Sequence, residues 1–298
     1  MTLATAAGAA TSLATLRYTP DITVNLGGTV VTPRSIATDS FSGAPTLVQS
    51  NLPADLATYF YNPSKGLLWL VFSTTVTLPG GITATPQDVI AFDGATYSKI
   101  FDGAAQGIPA GVAIDALSSI NGLSDFLFSF DTTATVGSVT VAPSDIVYFD
   151  GAGNWNLYFT AANANVPSGV NLDALDVLPN GNLLMAFDTA GMVGGVNFGA
   201  GDVLEYTDGL PGTWELSFSP AATYPGWGAA VLRGLWAQPA VAGSAGMLQF
   251  SAPTYSVNES GANATITVTR TGGSTGAVSV SYTTSDGSAT APAMQPLA

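Results

Sequence analysis

Carboxylates are the principal reactive groups of this sequence, which contains 20 Asp and Glu residues but no His and no Cys. The absence of His and Cys excludes Ser-His-Asp and Cys-His nucleophiles, a histidine base and a zinc site built on His. The chemistry that remains is a carboxylate pair, a Lys or Tyr base, or a hard metal ion bound by oxygen ligands. The positions of the acidic residues therefore matter most.

Several Asp residues recur in matching contexts. Asp131 and Asp188 lie in "FDT", 57 residues apart, and Asp115 and Asp173 lie in "DAL". One interpretation is a ring of carboxylates around a channel or a cation. The alternative, which we favour for "FDT" and for the similar "FDG", is turn chemistry, because Asp before Gly or Thr hydrogen-bonds its own backbone. The "DAL" residues lie between apolar neighbours, so we expect burial and hydrogen bonds to adjacent repeats, with Arg233 as a candidate partner.

Two aromatic residues lie in a Gly- and Pro-containing segment, "YPGWG". Trp227 and Tyr224 belong to this predicted loop. Aromatic side chains in loops are less readily explained by core packing, and they can stack on a sugar or hold a partner. We therefore treat Trp227 and Tyr224 as candidate ligand-binding residues.

Charge and composition limit the partners and the location. The chain carries 20 acidic and 6 basic residues, for a net charge of -14. Such a chain repels phosphate backbones, which argues against nucleic acid. No apolar run reaches the roughly 20 residues that span a bilayer. The composition is typical of secreted bacterial β-proteins, so we expect a secreted or cell-surface protein. The N-terminus nevertheless lacks the basic residues of a recognisable signal peptide.

A repeat of 57 residues organises the first three quarters of the chain. "DVIAFDG" begins at Asp88, "DIVYFDG" at Asp145 and "DVLEYTDG" at Asp202. Each unit contains four short runs of β-forming residues, and no segment has a helical period. Four-stranded units repeated around an axis are the blades of a β-propeller, and this part resembles bacterial β-propeller-type repeat proteins. The alternative is an open stack of sheets or a pair of β-sandwiches.

The N-terminus is predicted to close the propeller. The last unit ends near Gln238 without its final strand, and the segment from Leu13 to Tyr18 aligns with the missing strand. We therefore predict a tail at 1–12, then a propeller at 13–238 with blades that start near residues 35, 88, 145 and 202. Closure of this kind removes exposed sheet edges.

A different module follows the propeller. Residues 239–247, "PAVAGSAGM", are small and uncharged and are predicted to form a linker. In 248–298, "NATITVTR" and "AVSVSY" alternate apolar and polar residues, which indicates half-buried strands. The stretch "FSAPTYSVNESGANATITVTRTGGSTGAVSVSYTTSDGSATA" resembles the first half of a Calx-β domain, a Ca²⁺-binding immunoglobulin-like sandwich. The resemblance implies that Glu259 in "VNES" and Asp286 in "SDGSA" are Ca²⁺ ligands.

The implied Ca²⁺ site is incomplete. Ca²⁺ takes about 6–8 oxygen ligands, and two carboxylates supply at most four of these. The family's remaining carboxylates come from later strands, so we expect a truncated module and weak Ca²⁺ binding. The predicted fold class is all-β: a four-bladed β-propeller-like repeat domain closed by an N-terminal strand, followed by a partial immunoglobulin-like sandwich.

Three functional classes remain open. We favour a non-enzymatic extracellular or cell-surface binding or adhesion protein, with a glycan or a surface protein as its partner and Ca²⁺ as a cofactor. A carbohydrate-active enzyme would need an Asp/Glu pair about 5 to 10 Å apart in a cleft, one with a raised pKa. The sequence assigns no catalytic residue of this kind. The third class is a purely structural surface repeat protein. The fold alone does not distinguish among these three classes.

Overall fold

The computed structural model describes residues 10–122, 124–207, 212–240, 247–250 and 268–271. Contacts divide the chain into two compact units, Met1–Ala240 and Val241–Ala298. In chain order the strands are β1 (Leu13–Pro20), β2 (Val24–Leu26), β3 (Thr29–Val31), β4 (Ile36–Asp39), β5 (Thr46–Gln49), β6 (Leu56–Asn62), β7 (Leu67–Phe72), β8 (Val76–Leu78), β9 (Ile82–Ala84), β10 (Val89–Phe92), β11 (Tyr97–Phe101), β12 (Ile114–Ser118), β13 (Phe126–Phe130), β14 (Ala134–Val136), β15 (Val139–Val141), β16 (Ile146–Phe149), β17 (Trp155–Phe159), β18 (Leu172–Val177), β19 (Leu183–Phe187), β20 (Gly191–Val193), β21 (Val196–Phe198), β22 (Val203–Thr207), β23 (Thr213–Phe218), β24 (Leu232–Pro239), β25 (Met247–Phe250) and β26 (Val268–Thr271).

Helical structure in the described ranges is limited to short turns. These are the 3₁₀ segments Ala161–Ala164 and Pro225–Trp227 and the α-helical turn Pro220–Thr223. Within those ranges, no helix has the length and apolar character needed to cross a membrane.

Four antiparallel sheets of four strands form the first unit. Their strand orders are β24-β1-β4-β5, β6-β7-β10-β11, β12-β13-β16-β17 and β18-β19-β22-β23. The first strands of the sheets, β24, β6, β12 and β18, contact one another in a closed cycle, so they surround a common axis. A short hairpin connects the second and third strands of every sheet. This arrangement is the predicted four-bladed β-propeller.

The two ends of the first unit meet in one blade. Strand β1 pairs with β24 on one side and with β4 on the other, so that Leu16 lies opposite both Ala237 and Asp39. Leu16 and Tyr18 are fully buried in this blade. The predicted closure by an N-terminal strand is therefore confirmed.

The blades are out of phase with the sequence repeat. A repeat that begins at Asp88 contains β10 to β13, but β10 and β11 are the outer strands of one blade and β12 and β13 the inner strands of the next. The predicted starts near residues 35, 88, 145 and 202 are corrected to Leu56, Ile114 and Leu172, with β24 opening the closing blade. The length of the repeat does not show where a blade begins. The boundary is the place where neighbouring strands are not hydrogen-bonded, and no residue pattern indicates that place.

A buried carboxylate joins three of the four inner strands. Asp176 lies on β18 and is 2% exposed. Its Oδ2 accepts a hydrogen bond from the backbone nitrogen of Ala237 on β24 at 2.8 Å, and its Oδ1 accepts one from Ser118 Oγ on β12 at 3.3 Å. Burial raises the pKa of Asp176 to about 7, although the hydrogen bonds from Ala237, Val177 and Ser118 oppose this shift.

Asp176→Asn is expected to gain stability relative to the wild type as the pH rises from about 4 to 8. The folded-state pKa of Asp176 lies above the ordinary value of 3.8, so the folded state keeps a proton that the unfolded state has lost. The wild-type free energy of unfolding therefore falls as pH rises through this window. An Asn can still accept from Ala237 and donate to Ser118. The relative gain should reach at most about 4 kcal/mol, measured by denaturant unfolding across the pH range.

Asp93→Asn is the control for this experiment. Hydrogen bonds from the backbone and side chain of Thr96 lower the pKa of Asp93 to about 2, so its stabilising effect is lost only as the pH falls toward that value. Between about pH 5 and 8 its stability profile should run parallel to that of the wild type. A parallel profile for Asp176→Asn as well would show that Asp176 does not titrate in this range.

Candidate functional site

Breaks in strand register place two carboxylates at the axis. In β12 and β18 the pairing with the second strand skips Asp115 and Asp173, and in β6 it skips Ala57 at the same place. In β24 it skips Gly234, which has φ +57°. A β-bulge interrupts the alternation of side chains and redirects one of them. This explains how an Asp can lie between two buried apolar residues without entering the blade interior.

One amide connects the two carboxylates. Asn171 Nδ2 donates to Asp115 Oδ2 at 2.6 Å and to Asp173 Oδ1 at 3.1 Å. Asp115 and Asn171 belong to adjacent blades, as expected for a "DAL" carboxylate. Asn171 Oδ1 is buried and has no hydrogen-bond partner within the described residues. Two acidic groups and an unused amide acceptor are thus held together at one end of the inner strands.

The pair has an unusual affinity for protons. Burial raises the pKa of Asp115 to about 6 and that of Asp173 to about 7. The hydrogen bond from Asn171 opposes the shift of Asp115, whereas the negative charge of Asp115 adds to the shift of Asp173. At neutral pH the pair therefore holds a proton for part of the time, and it can donate as well as accept hydrogen bonds.

Arg233 acts on this pair through space. Its positive charge lowers the pKa of both Asp115 and Asp173. In the part of the chain that the structure describes, the side-chain ion pairs are formed by Lys99, so Arg233 makes no direct ion pair with either Asp. Arg233 is also partly exposed. Arg233 thus places a positive charge and hydrogen-bond donors near the two carboxylates without forming an ion pair with either of them.

The "FDT" carboxylates hold the inner strands in place. Each accepts a hydrogen bond from the backbone N–H of the residue before or near the start of an inner strand: Asp131 from Ala113 at 2.7 Å, Asp188 from Asn171 at 2.9 Å, and the equivalent Asp21 from Val231 at 2.7 Å. The backbone nitrogens of these Asp residues bond in return to the carbonyls of the same partners. Asp131 and Asp188 have a backbone-fixing geometry, and their charges also raise the pKa of Asp115.

We call Asp115, Asp173, Asn171 and Arg233 the axial site. It contains two carboxylates of near-neutral pKa, an amide and a guanidinium, with three structural Asp residues around it. Within the described ranges, no three or more acidic side chains are arranged to hold a metal ion. The chemistry that the axial site offers is therefore hydrogen bonding and proton exchange.

Trp227 and Tyr224 are not available to a ligand, which corrects their interpretation as binding residues. Trp227 is 1% exposed, packs edge-on against Tyr18 and donates from Nε1 to the Ala230 carbonyl at 2.7 Å. Tyr224 is 8% exposed and donates its hydroxyl to Asp39. The short helical turns around "YPGWG" fold both rings onto the closing blade. Gly and Pro marked a turn here, but they did not show which way its aromatic residues point.

A concavity lies at the outer edge of one blade, away from the axial site. It is an open groove of about 450 Å³ lined by Gly137, Ser138, Asp150, Gly153, Asn154, Trp155 and Asn156. The carboxylate of Asp150 is already occupied by Asn154, whose side chain and backbone both donate to it, and these bonds lower the pKa of Asp150. The groove therefore adds no group comparable to the axial pair.

The implied Ca²⁺ ligands Glu259 and Asp286 lie outside the described residues. In the second unit the structure describes one antiparallel pair, β25 with β26, in which Phe250 lies opposite Val268. Ca²⁺ ligation by Glu259 and Asp286 stays a prediction.

Asn171 is the member of the axial site that the sequence reasoning missed. Its signal was a difference between repeats: "VNLDAL" has Asn where "VAIDAL" has Ala113. A polar side chain that stands in one of these two copies and not in the other is not required by the turn that both copies share. Such a departure from the repeat is what would have indicated a site.

Residues 243–294 match the family model of the Calx-beta domain. No curated protein matches the chain. Solved structures similar to it include a chain of a nidogen/laminin complex, with 10% identity over 74% of this chain and 83% of that one at a TM-score of 0.36. A luciferin-regenerating enzyme has 16% identity over 67% of this chain and 61% of its own, at 0.31. Virginiamycin B lyase from Staphylococcus aureus has 9% identity over 68% and 57%, at 0.30.

Likeness at this level assigns neither a ligand nor a reaction to the propeller. The match to the Calx-beta domain covers the C-terminal part of the chain. The chain is therefore a four-bladed β-propeller followed by a region that matches the Calx-beta domain.

Proposed function

We propose that this chain is a non-enzymatic, extracellular or cell-surface binding and adhesion protein that recognises a hydroxyl-rich ligand, such as a glycan, at the axial site. The observation that carries the proposal is the amide of Asn171, which holds carboxylates of two adjacent blades within hydrogen-bonding distance of one atom. A site assembled from two blades exists only where those blades pack against each other, as expected of a ligand site built by the fold.

The chemistry of the axial site suits neighbouring hydroxyl groups. A sugar diol presents donors and acceptors close together, and it is matched by groups that can do both. Carboxylates with pKa values of about 6 and 7 accept when ionised and donate when protonated. Asp115 and Arg233 are partly exposed and can contact a ligand directly, whereas Asp173 and Asn171 Oδ1 are buried and act through Asp115. Together they provide the few convergent polar groups that orient a small ligand.

The surrounding charge supports an uncharged ligand. The charges of Asp131 and Asp188 act on the axial carboxylates, and the whole chain has a net charge of -14. This field repels phosphates, sulfates and acidic sugars from the axial site. A neutral glycan meets no such barrier, so neutral sugars are the ligands to test first.

The Calx-beta match supports a Ca²⁺-linked surface role. We propose Glu259 and Asp286 as Ca²⁺ ligands in this region, in line with the resemblance of "VNES" and "SDGSA" to the family's ligand positions. Two carboxylates supply at most four of the about 6–8 oxygens that Ca²⁺ takes, so the affinity of these two ligands alone is weak.

Binding to neutral glycans is expected to depend on the axial site. In a glycan array followed by calorimetry, Asn171→Ala and Asp173→Asn should each weaken the best ligand at least tenfold, because each removes part of the bridged pair. Asp150→Asn, at the outer groove, is the matched control and should change the affinity less than twofold. Affinity should also change between about pH 5.5 and 7.5 as the pair ionises. Equal binding by wild type, Asn171→Ala and Asp173→Asn would contradict the proposal.

A second candidate, a carbohydrate-active enzyme, is favoured by one observation. Two adjacent carboxylates with pKa values raised to about 6 and 7 include the protonated group that a glycosidase uses as its general acid. Incubation of the wild type with a panel of polysaccharides tests this candidate. Reducing-end release that Asp173→Asn lowers at least 100-fold, but Asp150→Asn does not, would replace the binding proposal by an enzyme. If the chain showed neither glycan binding nor turnover of polysaccharides, the remaining class would be a structural surface repeat protein.

Ca²⁺ binding by the second unit is expected to be weak and to depend on Glu259. Calorimetric titration of the full chain should give a dissociation constant of about 10⁻⁴ M or weaker, as for poorly charged extracellular sites. Glu259→Ala should remove the heat of binding, because it deletes one of two proposed carboxylate ligands. Glu215→Ala, on β23 of the propeller, is the control and should leave it unchanged. A titration unaffected by Glu259→Ala would show that Ca²⁺ binds elsewhere.

A further inference from the structure

A second polar cluster lies toward the C-terminal ends of the inner strands. It consists of Arg17 on β1, Trp236 on β24 and Tyr61 on β6, which we call the cationic corner. Arg17 and Trp236 are direct partners in the pairing of β1 with β24, and Tyr61 comes from the neighbouring blade. The cationic corner therefore spans the seam where the propeller closes.

Two aromatic rings enclose the guanidinium. Arg17 Cζ lies 4.1 Å from the centroid of the Tyr61 ring and 5.0 Å from that of Trp236. The two rings are themselves 5.0 Å apart at an interplanar angle of 85°. Cation–π attraction holds the charge against the ring faces. The rings accept no hydrogen bond in the plane of the guanidinium.

The hydrogen-bonding capacity of Arg17 is unused. Within the described residues its side chain has no hydrogen bond and no ion pair, and its Nε is buried without an acceptor. Two other basic residues are engaged: Arg34 donates to the carbonyls of Leu52 and Pro53, and Lys99 pairs with carboxylates. Burying the Nε donor without an acceptor is costly, whereas the Nη groups of this partly exposed side chain are not among the buried donors without a partner. The arrangement indicates that a ligand can supply the acceptor for the Nη groups.

We propose that the cationic corner binds the carboxylate of a small ligand. The planar fork of Arg17 fits a carboxylate through two parallel hydrogen bonds, and the rings hold that fork in one orientation. Phosphate also fits such a fork, but it carries more charge toward a chain of net charge -14. Tyr61 and Trp236 are both partly exposed, so they offer apolar contact to the body of the ligand.

The cationic corner is independent of the axial site. The axial site lies at the second residues of the inner strands and selects against anions, whereas the cationic corner selects for a single negative charge. Failure of one proposal leaves the other intact, because no residue is shared.

The test uses carboxylate probes with matched neutral partners. Glucuronate is compared with glucose, and N-acetylphenylalanine with its amide, by titration of the full chain. Trp236 is the reporter, because Trp69, Trp155, Trp214 and Trp227 are all buried whereas Trp236 is partly exposed. Its indole N–H resonance should shift and saturate with at least one carboxylate but with neither neutral partner. The carboxylate that binds more tightly shows whether the natural ligand is an acidic sugar or a peptide-like acid.

Arg17→Gln should weaken carboxylate binding at least tenfold, and Arg17→Lys should retain part of it through a single contact. Arg34→Gln removes the same charge from an arginine that already bonds to carbonyls, so binding should stay within twofold. Thermal unfolding checks that each variant folds; if Arg17→Gln does not, the weaker binding expected of Arg17→Lys decides. No saturable shift with either carboxylate, or equal affinities for wild type and the folded Arg17 variants, would overturn the proposal.

Discussion

The pairing of β1 with β24 is the constraint on which the rest of the propeller depends. The ring closes through this one strand pair, and an unpaired β24 would expose a sheet edge to other chains. Residues from opposite ends of the unit, such as Leu16 and Ala237, are therefore brought into register. Asp176 reinforces this seam, because the backbone of Ala237 is one of its two principal hydrogen-bond donors.

The seam also imposes a local requirement on the backbone. Gly234 lies in β24 with φ +57°, and a Cβ atom there would lie 2.6 Å from the backbone nitrogen of Tyr59 on the neighbouring blade. A larger residue would clash with that strand and strain its own backbone. Close approach at this point brings β24 against β6, and with it Trp236 against Tyr61. The geometry of the cationic corner is thus a consequence of closure.

The two proposed sites use the inner strands in opposite ways. At the axial site, breaks in register bring Asp115 and Asp173 close to one amide, and burial shifts both pKa values toward neutrality. At the cationic corner, two rings hold Arg17 without accepting its hydrogen bonds. Each site combines groups from adjacent blades, so each depends on the packing of one blade against the next.

Sequence alone determined the class of fold and the chemistry that is absent. The spacing of Asp88, Asp145 and Asp202 predicted four-stranded units, and the lack of His and Cys excluded whole classes of catalysis. These inferences needed only periodicity and composition. The Calx-beta resemblance of the C-terminal part likewise followed from a local pattern, which the family match confirms.

Tertiary structure decided the phase of the blades, the burial of Trp227 and the meeting of Asp115 with Asn171. Each depends on which strands become neighbours, and contacts between residues more than fifty positions apart leave no periodic trace. Side-chain direction at a bulge is likewise set by the pairing strand and not by the residue itself. The sequence therefore named the carboxylates, and only the folded ring showed which of them share an environment.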